Sequence, residues 1–216
     1  MKIDRHGKAK VLTQPEIQRL FTEGLTTARD RTLCAVMLYT GCRVNEAVTL
    51  KITDVYDKKG RIRTELILRK GNTKGKLATR TIPVLEDLKH FLEQYHPPTT
   101  SEGFLFPGRW GRGHLHSDSA SIIFREGCQQ VDIEGASTHS FRRTALTLMS
   151  NAGIPLRVIQ EISGHRNLEQ LQNYLEVETS QVRGAIASLS MLTPVAAESH
   201  TTLDISSTSD RVKTDG

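Results

Sequence analysis

Five short stretches of the sequence carry side chains that together suit phosphodiester chemistry. In chain order they hold Arg43, a lysine-rich segment at 69–76, His139 with Arg142, His165, and Tyr174. Two arginines can clamp the non-bridging oxygens of a phosphate, and their charge persists at any working pH. A tyrosine hydroxyl can attack phosphorus to form a covalent intermediate, and a lysine or histidine can protonate the departing oxygen. The set predicts phosphoryl transfer without a metal ion.

Each stretch taken alone has an ordinary structural explanation. Arg43 and Glu46 are three residues apart and can pair on one helix face, and lysines commonly keep turns solvated. His165 can cap a helix end, and Tyr174 lies beside the apolar residue Leu175 at what would be the edge of a core. Only the combination favours catalysis.

Hydrophobic spacing and turn residues predict a mainly helical chain that carries these stretches. Thr13 and Glu16 mark a first helix start, and Gly41 and Gly164 suit helix ends. Further helices are predicted at about 27–40, 45–50, 85–95, 117–131, 138–151, 155–163, after Asn167, and at 182–192. Strands are predicted at 52–56, 62–68 and 80–84. The last two flank the lysine-rich segment and so form a hairpin with lysines at its tip.

The composition is that of one folded domain with a basic body. The chain has 216 residues, of which 37% are hydrophobic, enough for a core. Residues 1–192 hold 27 basic and 20 acidic side chains, whereas residues 193–216 hold two and four. A basic body favours a nucleic-acid partner. We expect a flexible basic arm at 1–12, a folded domain at 13–192, and a disordered tail at 193–216.

Cysteine spacing and hydropathy indicate the cellular compartment of the protein. Cys34, Cys42 and Cys128 lack C-x-x-C spacing, which indicates a reducing compartment without disulfides or structural zinc. No apolar run reaches the roughly 20 residues that span a bilayer, and the N-terminus lacks a secretory h-region. We therefore expect a cytoplasmic protein. A histidine metal site at His114 and His116 is an alternative, but no third ligand lies nearby in the sequence.

The order of these residues resembles the tyrosine site-specific recombinases and phage integrases. Residues 39–46 look like the first arginine box of that family, residues 138–144 like the second, and residues 153–167 like the third. Tyr174 follows His165 at the family's usual spacing of nine residues. The resemblance covers residues 12–192 and implies a mainly helical α+β fold with a small antiparallel sheet.

The resemblance also implies a role for each residue of the set. Arg43 and Arg142 would bind and polarise the scissile phosphate. His139 would contact a phosphate oxygen or take the tyrosine proton, and His165 would contact the phosphate too. Tyr174 would attack, leaving a 3′-phosphotyrosyl enzyme and a free 5′ hydroxyl. No cofactor or metal is implied.

Two supporting positions follow from the same resemblance. Glu46 would support the Arg43 box without doing chemistry itself. The family's lysine lies on the hairpin and protonates the leaving 5′ oxygen. Lys74 is the preferred assignment because of its distance before the strand at 80–83, with Lys70 and Lys76 as alternatives.

The implied partners are double-stranded DNA and further copies of the chain, in a nucleoid-associated tetrameric synapse. Residues from Val182 onward would pack on a neighbouring subunit. Arg143 replaces a histidine common in relatives, and we expect it to add a phosphate contact. About twelve residues precede the first helix, too few for the family's N-terminal clamp domain, so we expect a short member or a fragment with weakened DNA binding.

Two other functions share this residue set. A type IB topoisomerase-like enzyme would relax supercoils without site preference. An inactive integrase remnant would act only as a DNA-binding regulator, although the intact set argues against decay. Integration, excision and inversion are equally compatible with the sequence.

Overall fold

The computed structural model describes residues 9–69, 78–97, 103–175, 177 and 179–189. The described helices are α1 (Gln14–Arg19), α2 (Ala28–Thr40), α3 (Val44–Val48), α4 (Ile52–Val55), α5 (Glu86–Gln94), α6 (Ser117–Gln130), α7 (Thr138–Asn151), α8 (Leu156–Ser163), α9 (Leu168–Gln172) and α10 (Thr179–Ala187). A π-helical turn, Leu20–Gly24, continues α1, and Arg109–Gly111 forms a 3₁₀ turn. The strands are β1 (Glu65–Leu68) and β2 (Arg80–Pro83). The predicted mainly helical α+β class is confirmed.

Helix α2 is the centre of the domain and ends at the candidate site. Nine of its 13 residues are buried, and it packs against both α5 and α7. Thr27 caps its start by accepting from the backbone N–H of Asp30 at 3.1 Å. Gly41 ends it at φ 59°, a left-handed conformation that glycine adopts without steric penalty. This cap aims the Gly41 carbonyl at α7, where Arg142 binds it.

The hairpin prediction is confirmed for the two strands. β1 and β2 pair antiparallel, with Leu66 opposite Ile82 and Leu68 opposite Arg80. Leu66, Leu68 and Ile82 are buried in the core. Residues 70–77, which join the strands and include all three candidate lysines, lie outside the described residues.

The predicted strand at 52–56 is wrong, because this segment forms α4. The carboxylate of Asp54 accepts from the backbone N–H of Lys51 at 3.0 Å, which caps the helix start. Ile52 and Val55 are the apolar residues that face the core, 8% and 0% exposed. Their spacing of three residues fits a helical turn, and only Tyr56 makes a β-bridge, with Ile62.

The described end of the predicted basic arm, residues 9–12, lies against the domain. Leu12 is 3% exposed, and its backbone N–H donates to Thr144 Oγ1 at 2.9 Å. The Arg143 guanidinium donates to the carbonyl of Ala9, and Arg143 is 4% exposed. Arg143 thus anchors the segment at 9–12, and its expected phosphate contact stays a prediction.

The chain divides into two compact units, residues 1–177 and residues 178–216. The described part of the second unit contains α10, on which Val182 and Ile186 are exposed. The three cysteines are buried and free. Within the described ranges, no helix has the length and apolar character needed to cross a membrane.

Candidate active site

Arg142 forms the floor of the candidate site. It lies in the second turn of α7 and is 1% exposed. Its Nη1 donates to the carbonyl of Gly41 at 2.6 Å, and its Nη2 donates to the carbonyl of Ser163 at 2.8 Å. Its buried Nε has no hydrogen-bond partner among the described residues. Burial and the nearby charge of Arg43 lower the pKa of Arg142 to about 10, so the guanidinium stays protonated at neutral pH.

His165 lies directly on this guanidinium. Gly164 ends α8 at φ 64°, and that left-handed turn directs the next residue inward. His165 Nε2 lies 3.1 Å from Arg142 Nη2, and His165 Nδ1 lies 2.8 Å from Ser163 Oγ. Burial, followed by the charges of Arg142 and Arg43, lowers the pKa of His165 to about 3. The ring is therefore neutral at pH 7.

The neutral ring carries one hydrogen, on either Nδ1 or Nε2. Arginine can only donate, and Arg142 Nη2 lies 3.1 Å from Nε2 and 3.4 Å from Nδ1, so either ring nitrogen can accept from it. Ser163 Oγ can accept from an Nδ1–H or donate to a bare Nδ1 at the same 2.8 Å, and it also lies 3.3 Å from the carbonyl of Gln160. Ser163 is thus a hydrogen-bond partner for both tautomers of His165.

Tyr174 closes the site from the side of α9. Asn167 caps α9 by accepting from the N–H of Gln170 at 2.9 Å, and the chain turns at Tyr174 two residues after the helix. The Tyr174 ring lies 5.0 Å from the His165 ring, tilted by 49°. The Arg142 guanidinium carbon lies 5.6 Å from the centre of the Tyr174 ring. Tyr174 is half-buried, which leaves a route for a substrate.

Arg43 belongs to the same cluster. It is the N-cap residue of α3, and its backbone N–H donates to Glu46 Oε2 at 2.8 Å. Its Nη1 lies 3.6 Å from Glu46 Oε1, and its side chain is 22% exposed. Glu46 therefore contacts the Arg43 box, as the sequence predicts.

Arg80 is the site residue that sequence reasoning missed. Its guanidinium binds Glu46 through both Nη atoms, at 2.9 and 3.3 Å, and its Nε donates to the carbonyl of Ile162 at 2.9 Å. It thus ties β2 to α3 and to the end of α8. A signal was present, since Arg80 and the buried Ile82 share one face of the strand by the two-residue alternation.

Glu46 is the anion at the centre of these cations. It is 0% exposed. Burial alone raises the pKa of Glu46, but the hydrogen bond and charge of Arg80, the backbone N–H of Arg43 and the charge of Arg142 outweigh it. The pKa of Glu46 therefore lies below its ordinary value, and the carboxylate is ionised at neutral pH.

Of the remaining predicted site residues, the structure describes His139 but not the three candidate lysines. His139 is exposed in the first turn of α7, three residues before Arg142 and so on the same helix face. Lys74, Lys70 and Lys76 fall outside the described residues. The structure brings together the other four predicted residues, Arg43, Arg142, His165 and Tyr174.

The two histidines of the alternative metal site have other contacts. His114 Nδ1 lies 2.8 Å from the carbonyl of Leu115, and His116 caps α6 by accepting from the N–H of Asp118 at 3.3 Å. Within the ranges that the structure describes, no group of three His, Cys, Asp or Glu side chains is arranged to hold a metal ion.

The family and the relatives that this sequence matches agree with the geometry of the site. Residues 10–181 match the model of the family described as Phage integrase family. The chain belongs to this family. The tyrosine recombinase XerA of Pyrococcus furiosus is 28% identical over 187 residues, which cover 85% of this chain and 63% of that relative. The chain therefore spans less than two thirds of the length of this curated relative.

Solved structures show the phage integrase fold in this chain. The crystal structure of XerA recombinase matches with a TM-score of 0.68 at 24% identity, over 84% of this chain and 66% of that one. The XerH site-specific recombinase, in a pre-cleavage complex with its difH substrate, matches with a TM-score of 0.61 at 22% identity. That match covers 82% of this chain and 53% of XerH.

Proposed function

We propose that this chain is the catalytic part of a site-specific DNA recombinase that cleaves and rejoins DNA through a 3′-phosphotyrosyl intermediate. One observation carries the proposal: a buried arginine, a neutral histidine and a half-buried tyrosine converge. Arg142 Nη2 is 3.1 Å from the His165 ring, and the Arg142 guanidinium carbon is 5.6 Å from the centre of the Tyr174 ring. Membership of the phage integrase family supports the same activity.

In the proposed reaction, Arg43 and Arg142 hold the non-bridging oxygens of the scissile phosphate. Charge that develops on those oxygens is stabilised by cations that are already fixed in place. The Tyr174 oxygen attacks phosphorus, the bond from phosphorus to the 5′ oxygen breaks, and the tyrosine proton passes to His139 or to water. Lys74 supplies the proton that the 5′ oxygen takes up. Rejoining is the reverse, with a 5′ hydroxyl as the nucleophile and Tyr174 as the leaving group.

His165 contributes a hydrogen bond in this scheme and no charge. A phosphate bound by Arg142 competes with Nε2 for the guanidinium hydrogens. In the tautomer that carries its hydrogen on Nε2, the Ser163 hydroxyl donates to Nδ1 and the Nε2–H donates to the phosphate. Ser163 thus supports the tautomer of the neutral ring that suits a bound phosphate.

Double-stranded DNA and further copies of the chain are the proposed partners. Support for DNA comes from the basic body of the sequence and from XerH, whose structure contains its difH substrate. Support for self-assembly comes from α10, where Val182 and Ile186 are exposed apolar residues one helical turn apart, and from the exposed Leu189 in the turn that follows. Deleting residues 179–216 should weaken synapsis more than DNA binding, and an equal loss of both would count against this role.

Covalent capture tests the activity. The protein is mixed with duplexes nicked beside candidate sites, so that cleavage releases a short strand and cannot reverse, and adducts that survive SDS are counted. Tyr174→Phe removes the nucleophile, and Tyr39→Phe is the matched control because it makes the same change at another half-buried tyrosine. We expect adducts from the wild type and from Tyr39→Phe, and none from Tyr174→Phe.

Other outcomes identify the alternatives. Salt-sensitive DNA binding without adducts from the wild type indicates a DNA-binding remnant. Relaxation of any supercoiled plasmid, without preference for the DNA sequence at which adducts form, indicates a topoisomerase-like enzyme. Adducts that persist in Tyr174→Phe contradict the assigned nucleophile.

The lysine assignment needs its own experiment. Lys74→Ala, Lys70→Ala and Lys76→Ala are compared on an ordinary duplex and on one with sulfur at the bridging 5′ position. Thiolate leaves without a proton, so the sulfur substrate rescues only the variant that lacks the general acid. Normal cleavage of the ordinary duplex by Lys74→Ala would show that Lys74 is the wrong choice.

A further inference from the structure

Residues 9–12, which we call segment 9–12, lie across the start of α7. Three hydrogen bonds hold the segment: the Lys10 N–H donates to the carbonyl of Gly135 at 3.2 Å, the Leu12 N–H donates to Thr144 Oγ1 at 2.9 Å, and the Arg143 guanidinium donates to the carbonyl of Ala9. The Lys10 ammonium also pairs with the carboxylate of Glu16 in α1. Segment 9–12 therefore joins α1, the loop before α7 and α7 itself.

The side chains that hold segment 9–12 are buried. Arg143 is 4% exposed, Thr144 is 0% exposed, and Leu12 of the segment is 3% exposed. A guanidinium loses its hydration when it is buried, so an arginine is a costly means of fixing a segment of backbone. That cost indicates that the placement of the segment against α7 has a function.

Helix geometry relates this arrangement to the candidate active site. Successive residues of an α-helix are turned by about 100°, so Arg143 and Thr144 lie about 100° and about 200° around α7 from Arg142. Arg142 faces the candidate site, where it binds two backbone carbonyls. Arg143 and Thr144 face segment 9–12. The start of α7 is therefore held on two sides, and both sets of contacts oppose rotation of the helix about its axis.

A small rotation of α7 would misplace the Arg142 guanidinium. With its side chains a helix has a radius of about 5–6 Å, so a rotation of about 10° moves a side-chain tip by about 1 Å. The Arg142 hydrogen bonds of 2.6 and 2.8 Å to the carbonyls of Gly41 and Ser163 would then weaken. A misplacement of about 1 Å at a reacting group costs up to about a hundredfold in rate.

We propose that Arg143 and Thr144 are positioning residues for the cleavage reaction, which hold Arg142 against the scissile phosphate by binding segment 9–12 across α7. The inference rests on the proposed function, because its readout is DNA cleavage. In this role neither residue touches the substrate, and both act through the orientation of α7. Segment 9–12 is then needed for full activity although it carries no group that reacts.

Arg143→Met tests the proposal in the full chain. Protein is saturated with DNA, so that the rate of adduct formation from bound DNA is measured separately from affinity. We expect this rate to fall about tenfold, less than the cost of a misplacement of about 1 Å, because Thr144 and Lys10 still hold the segment. DNA affinity and its salt dependence should stay the same.

Arg31→Met is the matched control. Arg31 also donates to two backbone carbonyls, those of Leu25 and Thr26 at 2.8 and 3.1 Å, but it lies at the start of α2, whereas the candidate site lies at the end of α2. The same replacement therefore loses the same type of hydrogen bond without touching α7. We expect adduct formation from bound DNA at the rate of the wild type.

A neutral substrate distinguishes misplacement of a cation from general damage to the fold. A methylphosphonate at the scissile position carries no negative charge, so its cleavage depends less on a guanidinium than cleavage of a phosphate does. Arg143→Met should therefore slow the methylphosphonate less than the phosphate. A loss of folded protein would slow the two substrates equally.

Thr144 offers an independent pair of variants, which keeps the test decisive even where Arg143→Met does not fold. Thr144→Val removes the acceptor of the Leu12 N–H, and Thr144→Ser keeps it. We expect Thr144→Val to slow the phosphate more than the methylphosphonate, and Thr144→Ser to resemble the wild type. The double variant of Arg143→Met and Thr144→Val should approach a loss of about a hundredfold.

Four results would overturn the inference. If Arg143→Met and Thr144→Val form adducts as fast as the wild type, segment 9–12 does not position Arg142, although the proposed function stands. A fall of about one in the log–log salt slope of Arg143→Met assigns Arg143 a phosphate contact instead. Equal slowing of phosphate and methylphosphonate leaves both residues with a role in the fold alone. Absence of adducts from the wild type removes the proposed function and this inference with it.

Discussion

Replacing Glu46 by Gln tests whether one buried carboxylate holds three parts of the candidate site together. Glu46 is 0% exposed and accepts from both Nη atoms of Arg80 and from the backbone N–H of Arg43. Gln keeps the shape but removes the charge that compensates these cations. Removing one partner of a buried ion pair costs about 3–5 kcal/mol. At about 2–4 °C per kcal/mol for a chain of this size, Tm should fall by roughly 6–20 °C.

A double-mutant cycle isolates the Glu46–Arg80 pair. Urea unfolding at pH 7 gives the free energy of unfolding for Glu46→Gln, Arg80→Met and the double variant. Because the second replacement removes a group that the first has already left unpaired, the losses should fall short of additivity by about 1–3 kcal/mol. Arg61→Ala is the control. It breaks an ion pair of 2.8 Å with Asp57, but Arg61 is 72% exposed, so its effect should lie within the error of the measurement.

The pH dependence of this loss has a definite sign. The pKa of Glu46 is lower in the folded state than in the unfolded chain, where it is about 4.3. Its charge therefore contributes stability that is complete above that unfolded value and disappears as pH falls through the folded pKa. The difference between the wild type and Glu46→Gln should narrow below about pH 4. Full additivity in the cycle, or a loss no larger than that of Arg61→Ala, would refute the reasoning.

Three further predictions concern the same cluster. Gly164→Ala should cost about 1–3 kcal/mol in thermal unfolding, because φ is 64° and the new Cβ would lie 3.0 Å from Arg80 Nη1. Ser163→Ala should slow adduct formation about fivefold, the value of one hydrogen bond of about 1 kcal/mol, with unchanged DNA affinity. His165 has a folded pKa of about 3, so the stability that it contributes is complete above about pH 6.5 and declines toward pH 3. Between pH 7 and pH 5, the urea concentration at the unfolding midpoint should therefore fall less for His165→Gln than for the wild type.

Each of these three has a contrary result. A Gly164→Ala protein as stable as the wild type would mean that Arg80 moves aside freely. Equal losses of adduct rate and DNA affinity in Ser163→Ala would point to general disruption of the site. Identical pH profiles in wild type and His165→Gln would contradict the buried, neutral histidine.

Helix ends were predictable because local chemistry determines them. Thr13 with Glu16 forms the capping box that its residue types indicate, and Gly41 and Gly164 are left-handed caps. The strand prediction at 52–56 was wrong because it relied on β-branched residue types over a short run. The buried Ile52 and Val55 are three residues apart, which fits a helical turn and not the two-residue alternation of a strand, and the cap by Asp54 begins the helix.

The residues that hold the catalytic candidates in place are a different case. Arg142 binds the carbonyls of Gly41 and Ser163, 101 and 21 residues away, and a backbone carbonyl carries no residue identity that a sequence pattern could reveal. Glu46 meets Arg80 across 34 residues. A buried carboxylate requires a cation, yet the sequence offers 29 lysines and arginines. Arg80 is identified as the partner of Glu46 only by the pairing of β1 with β2, which places Arg80 on the same strand face as the buried Ile82. The chemistry of the site can therefore be predicted from residue types. The residues that hold the catalytic side chains in place cannot, because they depend on which long-range contacts the fold forms.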